Sequence, residues 1–193
     1  MKIRNIVLVV LVALVSGLGI AAVRMMSLQR SAAFATYGSW RGTANLPLNK
    51  DNLVTTQVTL FALFALPSHE AVYLFASNDD KDKGLNGSSS YTIQGNIHDL
   101  KAGYWSITAY GKDLYLIPNA ANRYSFNNNN LVTDSLGNFK IYISSASSDG
   151  SENWLPVAAG ANFRLVLRLY QADKDFVEHL ENAHLPTIKK DGI

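Results

Sequence analysis

Five residues in the second half of the chain, Asn119, Arg123, Asn153, Trp154 and Arg168, have side chains suited to recognition chemistry. A guanidinium holds its N–H donors in a fixed fork that matches a carboxylate, and beside amides and an aromatic plane it suits an anionic or sugar-like ligand. The same residue types also have a structural use: Asn side chains satisfy backbone groups at strand ends, and Arg pairs with loop carboxylates or carbonyls. If Pro118–Tyr124, Ser151–Leu155 and the end of the strand carrying Arg168 converge, Asn119, Arg123, Asn153 and Arg168 would surround one cleft. Catalytic signatures are missing. The chain has no Gly-x-Ser-x-Gly elbow, Ser-x-x-Lys pair, phosphate-binding glycine loop or His-Glu-x-x-His helix. Its histidines, His69, His98, His179 and His184, are scattered. Asn78, Asp80 and Asp82 alternate like calcium ligands, but no Glu closes the loop and Gly84 comes late, so a solvated turn is expected there. Neither a metal nor a cofactor is expected.

Strands must hold these groups. Between Gly103 and Phe126, Tyr104, Ser106, Thr108 and Tyr110 share one face while Trp105, Ile107 and Ala109 share the other, the period of two of a half-buried strand. Leu114–Ile117 then reads as the second strand of a hairpin that ends at Pro118. Phe163, Leu165, Leu167 and Leu169 alternate with Arg164, Val166, Arg168 and Tyr170 in the clearest strand of the chain. Further strands are predicted at Ala71–Ala76, Tyr91–Ile97 with a bulge at Gly95, and Phe139–Ile143. Asp51–Leu66 reads as a helix that Pro67 ends, Asn86-Gly87 as a tight turn, and the last twenty residues as a surface tail. Trp105, Leu165, Leu167 and Leu169 are expected in the core, with Trp154 buried as well. Many short strands with polar turns and no βαβ rhythm predict a mainly β fold: an antiparallel β-sandwich or jelly-roll-like domain with one or two helices.

The N-terminus is set apart. Asn5–Val23 carries no charge, and a helix of that length, at about 1.5 Å per residue, nearly matches a hydrocarbon core of about 30 Å. The expected organisation is an N-terminal transmembrane helix over residues 1–26, a linker or arm over 27–50, the β-sandwich over 51–175 and a tail over 176–193. A cleaved signal peptide is the rival reading, with Ala33-Phe34-Ala35 as the cleavage pattern, but that site lies far beyond the apolar run. Of the 17 basic residues, Lys2, Arg4 and Arg24 flank this helix; the other 14 face 15 acidic ones, a near-neutral domain without the footprint of nucleic-acid binding. Lys2 and Arg4 outweigh Arg24 and Arg30 slightly once the terminal amine is counted, which places the domain outside the cytoplasm. The chain has no cysteine, so neither a disulfide nor a thiolate is available.

Several short motifs recur in a family's order: Glu70-Ala71-Val72-Tyr73, Leu85-Asn86-Gly87, Tyr91, Tyr104–Tyr110, Pro118-Asn119, Arg123-Tyr124-Ser125, Asn153-Trp154-Leu155-Pro156, Gly160 and Leu167-Arg168-Leu169-Tyr170. On these residues the stretch from Trp40 to Tyr170 resembles the bacterial family called domain of unknown function 1214, in its short, membrane-anchored, exported branch. The resemblance implies a β-sandwich in the cell envelope, sometimes accompanied by a companion domain of unknown function 1254 in the same or a neighbouring protein; it implies no activity. The family's proline is missing from Val157-Ala158-Ala159-Gly160, and its tryptophan from His184-Leu185-Pro186.

The function expected from these features is a non-catalytic binding or accessory module, single-pass in the bacterial inner membrane and facing the periplasm. The competing readings are an envelope hydrolase and a structural partner of a companion envelope protein. Protease added to intact spheroplasts should digest the domain, and the membrane-bound protein should keep Met1. A soluble product beginning near Thr36 would instead establish signal-peptide cleavage.

Overall fold

The computed structural model describes residues 3–27, 35–43, 70–147, 150 and 152–192. The helix expected at Asp51–Leu66 and most of the expected linker lie outside the described residues, as does His69. Helix α1 spans Ile3–Ser27, and its segment Ile3–Val23 is apolar and long enough to cross a membrane. That length and composition are shared by membrane anchors and signal sequences.

The remaining described residues form two sheets. The larger has six strands in the order β1 (Ala35–Tyr37), β2 (Trp40–Thr43), β3 (Ala71–Ala76), β9 (Phe163–Ala172), β5 (Ala102–Gly111) and β6 (Ser125–Asn127). The smaller has four: β10 (Thr187–Lys190), β4 (Tyr91–Asn96), β7 (Asn138–Ser144) and β8 (Trp154–Pro156). Every pair is antiparallel except β7 with β8, which run parallel, so the smaller sheet is mixed where an all-antiparallel one was expected. A 3₁₀ turn, Ile97–Asp99, links β4 to β5, and a short helix α2, Lys174–Glu178, follows β9. Asp173 caps α2 by accepting the Phe176 N–H, as the Asp preference at N-caps leads one to expect.

The strands expected at Ala71–Ala76, Tyr91–Ile97, Phe139–Ile143 and Phe163–Tyr170 form as β3, β4, β7 and β9 close to those bounds, and the facing register shows why they are stable. β9 runs between β3 and β5, with Leu167 opposite Leu74 on one side and Ile107 on the other. Leu165, Leu167 and Leu169 are fully buried, as is Trp105 to within 2%. The hairpin is a correction. Leu114–Ile117 forms no strand: only Leu116 bridges back, to Tyr110, and Leu114 takes a left-handed backbone that a ladder does not accommodate. The hairpin partner of β5 is β6, with Ile107 opposite Phe126. No bulge interrupts β4 either. Gly95 stays in register with Phe139, and its lack of a side chain admits the Phe139 ring, 2.9 Å from where a Cβ would sit.

The inner faces of the sheets share one apolar core, in which the Trp105 and Phe139 rings stack across the sandwich at 5.8 Å and 19°. The sandwich also extends beyond the expected boundaries at both ends. Trp40, fully buried in β2, donates its indole Nε1–H to the Pro186 carbonyl at 2.6 Å, tying the β2 side of the large sheet to the chain that enters β10. The expected surface tail is therefore structural: β10 pairs with β4, and Leu180 and Ile188 are buried. Strands of four residues are too short to show a period, which is why β2 and β10 escape pattern reading. Trp154 is only half-buried rather than a core residue, because β8 lies at the rim of its sheet.

Trp105→Ala should destabilise the protein by roughly 3–5 kcal/mol in urea denaturation, since it empties the centre of the inter-sheet stack. Trp40→Phe, which keeps most of the ring but strands the buried Pro186 carbonyl, should cost about 1–3 kcal/mol. A Trp105→Ala protein that melts like the parent would remove that residue from the core.

Candidate functional site

Four of the five expected site residues meet around β8, and three of them, Asn119, Arg123 and Asn153, are held by backbone groups. In the turn after Pro118, Asn119 donates Nδ2–H to the carbonyls of Ile117 (3.0 Å) and Arg123 (2.9 Å) and accepts the Arg123 N–H on Oδ1 (3.1 Å). Asn122 supplies the left-handed residue that this turn needs, a conformation Asn tolerates better than most. The Asn119 staple aims Arg123 inward. Its Nη1 donates to the carbonyls of Glu152 (2.9 Å) and Trp154 (3.2 Å), while the guanidinium lies 5.4 Å from the Phe126 ring centre. Arg123 thus joins the β6 rim of the large sheet to the β8 rim of the small one.

Asn153 is the most committed of the four. It is 8% exposed, accepts the Val132 N–H on Oδ1 (3.0 Å), and donates Nδ2–H to the carbonyls of Val132 (2.7 Å) and Lys140 (3.0 Å). Its side chain pairs with the Val132 backbone much as a strand would. Trp154 donates Nε1–H to Ser144 Oγ at 3.0 Å, across the parallel β7–β8 pair.

Arg168 stands apart from this group. It alternates along β9 with Leu167 and Leu169, which face the core, so it must point away from the interior, whereas Arg123 lies over a core-facing ring. Its Nη1 donates to Thr108 Oγ1 (3.2 Å) and its Nη2 to Tyr110 Oη (2.7 Å), with the rings of Tyr73 and Tyr110 at 6.0 and 5.3 Å. The cleft expected between two guanidiniums is therefore not assembled. Strand parity separates them. Sequence reading also passed over Tyr73, Tyr104, Tyr110 and Tyr170, which gather around Arg168; parity along each strand was legible, but the register that brings three strands' tyrosines together was not.

An open groove of about 830 Å3 runs along the small sheet, lined by Gln94, Asp134, Lys140, Tyr142, Glu152 and His184 among others. Asp134 lies below the usual carboxylate range, chiefly because the Asn138 side chain hydrogen-bonds it and then because the Asn138 and Leu136 N–H groups do. A depressed carboxylate stabilises this turn above its ordinary pKa and loses that effect as pH falls through the folded-state value. The shift is opposite in sign to that of a general acid held protonated at neutral pH. In the Ser77–Ser90 stretch the structural carboxylate is Asp79, 3% exposed and accepting the Lys81 and Lys83 N–H groups, while Asp82 bonds Asn78 directly at 2.6 Å. Among the described residues no cluster of three His, Cys, Asp or Glu could hold a metal ion.

Two facing β-sheets whose polar motif residues brace one rim define the class: a β-sandwich domain in a chain that begins with an apolar helix. The family model for the protein of unknown function DUF1214 matches residues 70–174, over half of the chain, and the chain belongs to that family. Among solved structures it is similar to the VPA0106 protein from Vibrio parahaemolyticus, with 26% identity and a TM-score of 0.63, over 87% of this chain and 42% of that one. An uncharacterised protein from Burkholderia cenocepacia aligns at 17% identity and a TM-score of 0.43, over 92% of this chain and again 42% of the other. No curated protein matches the chain.

Arg123→Ala should lower the melting temperature, because a hydrogen bond from a charged donor contributes about 1.5–3 kcal/mol and two carbonyls lose theirs. Asn153→Ala, which strands the Val132 N–H, should cost about 1–3 kcal/mol. Paired thermal melts check both; parent-like melting of Arg123→Ala would mean that its two carbonyl contacts contribute nothing to the fold.

Proposed function

We propose that the chain is a membrane-tethered, non-catalytic binding or accessory module of the bacterial cell envelope. In this reading α1 stays as a single uncleaved span of the inner membrane and the domain works in the periplasm, a placement supported by the apolar length of α1 and the basic residues Lys2 and Arg4 before it. The observation that carries the reading is the commitment of the polar motif residues. Asn119, Arg123 and Asn153 use their side chains on backbone groups of their own domain. The groove that Asn153 lines is open, and Asp134 in it is biased toward the ionised state. Catalytic sites are usually deeper and hold groups pushed toward neutral pKa values.

The family resemblance points to one protein partner, a companion envelope protein carrying domain of unknown function 1254. Full-length protein purified from its own membrane in mild detergent should retain a small molecule or that companion, identified by native mass spectrometry, and should release it chemically unchanged after long incubation. Conversion of the retained molecule into a new species would make the protein an enzyme.

A further inference from the structure

The large sheet's outward face has a charge pattern that its sequence states only in pieces. β1 through β3, β5, β6 and β9 contain three arginines, Arg41, Arg164 and Arg168, and neither lysine nor any acidic residue. All three arginines point outward. Arg164 and Arg168 alternate with core-facing residues of β9, and Arg41 sits opposite Phe75, itself on the outer side of β3 between buried Leu74 and Ala76. Around Arg168 the register sets Tyr73 and Ser106 directly opposite, with Tyr170 opposite Tyr104 two residues along.

We propose that this face is a binding site for a ring-bearing organic carboxylate, with Arg168 as its anchor. This rests on the binding-module reading and names its ligand class. Arg168 is half-buried, and its described partners, two neutral hydroxyls and two aromatic rings, include no carboxylate. The ring faces offset part of the desolvated charge, but a half-buried cation still favours an anion beside it. Two of a guanidinium's roughly five N–H donors are engaged here, so most of the fork remains to pair with an incoming carboxylate. Thr108 and Tyr110 fix the plane of that fork, which a carboxylate meets with two parallel bonds.

The tyrosines supply the second half of the recognition. Tyr104 is 36% exposed, and its ring lies 5.7 Å from that of Tyr170 at 51°; Tyr170 in turn meets the edge of Tyr73 at 6.4 Å. An accessible aromatic surface next to a charged fork suits a ligand whose carboxylate is attached to a ring, either a sugar acid or an aromatic acid. Burial, and then neighbouring Tyr73, push the Tyr170 phenol up against the opposing pull of Arg168. The groove on the small sheet differs from this face: Asp99, Asp134 and Glu152 line it, and they disfavour an anion.

The test is isothermal titration of full-length protein in detergent micelles with glucuronate, benzoate, glucose and inorganic phosphate. Glucuronate or benzoate should bind at least tenfold tighter than glucose and phosphate, and whichever binds identifies the source as sugar acid or aromatic acid. Arg168→Gln should weaken that binding at least tenfold, and Arg168→Lys should restore only part of it, because a point charge lacks the fork. Tyr104→Ala, at the exposed edge of the cluster, should weaken it severalfold in a protein that still folds, which keeps the test decisive if Arg168→Gln misfolds. Absence of binding by either acid, glucose or phosphate binding as tightly, or acid binding indifferent to both Arg168→Gln and Tyr104→Ala overturns the site. Chemical conversion of the bound acid, followed by NMR, would overturn the binding-module reading instead.

Discussion

The two ladders of β9 are the constraint on which the rest of the domain depends. Phe163–Ala172 is hydrogen-bonded along most of its length to β3 on one side and β5 on the other, so its period of two is imposed on both neighbours. Leu165, Leu167 and Leu169 then dictate which side of three strands is interior, and Arg164, Arg168 and Tyr170 must face outward. A slip of one residue would exchange the two sets, burying two guanidiniums and exposing three leucines. At roughly 1.5–3 kcal/mol for each large apolar side chain buried, before the cost of desolvating the charges, that register has no close competitor.

A sandwich also needs its rims closed, and here polar groups do what leucine cannot. On the β2 side the indole of Trp40 reaches the Pro186 carbonyl; on the β6 side Arg123 reaches the carbonyls flanking Asn153. The Trp105–Phe139 stack packs the space between. On the β6 side this closure occupies the side chains of Asn119, Arg123 and Asn153, which bond backbone groups at the rim without lengthening a strand.

Much of this was legible in the sequence, and what was missed has a common cause. Alternation in Phe163–Tyr170, Phe139–Ile143 and Tyr104–Tyr110 revealed strands and faces, and ordered motifs from Glu70 to Tyr170 revealed the family. Strands without room for a period were missed: Trp40–Thr43 read as linker and Thr187–Lys190 as tail, though each is anchored by one fully buried residue, Trp40 and Ile188. Leu114–Ile117 failed in the opposite way, since four apolar-rich residues look like a strand while Leu114 is left-handed. The candidate site was half legible. Asn119, Arg123, Asn153 and Trp154 do converge, but grouping Arg168 with them needed the inter-strand register, which no single strand's pattern contains. The same register assembles the tyrosines beside Arg168.

The central claim is that Arg123 holds the two rims together while β9 carries the stability of the whole. Site-resolved amide hydrogen exchange on the parent and Arg123→Ala proteins tests it most directly. Amides of β6 and β8 should exchange faster in the variant through local opening, while Leu165, Leu167 and Leu169 should still exchange only through global unfolding. Unchanged protection in β6 and β8 would contradict the account, since the guanidinium would then not be what closes that rim.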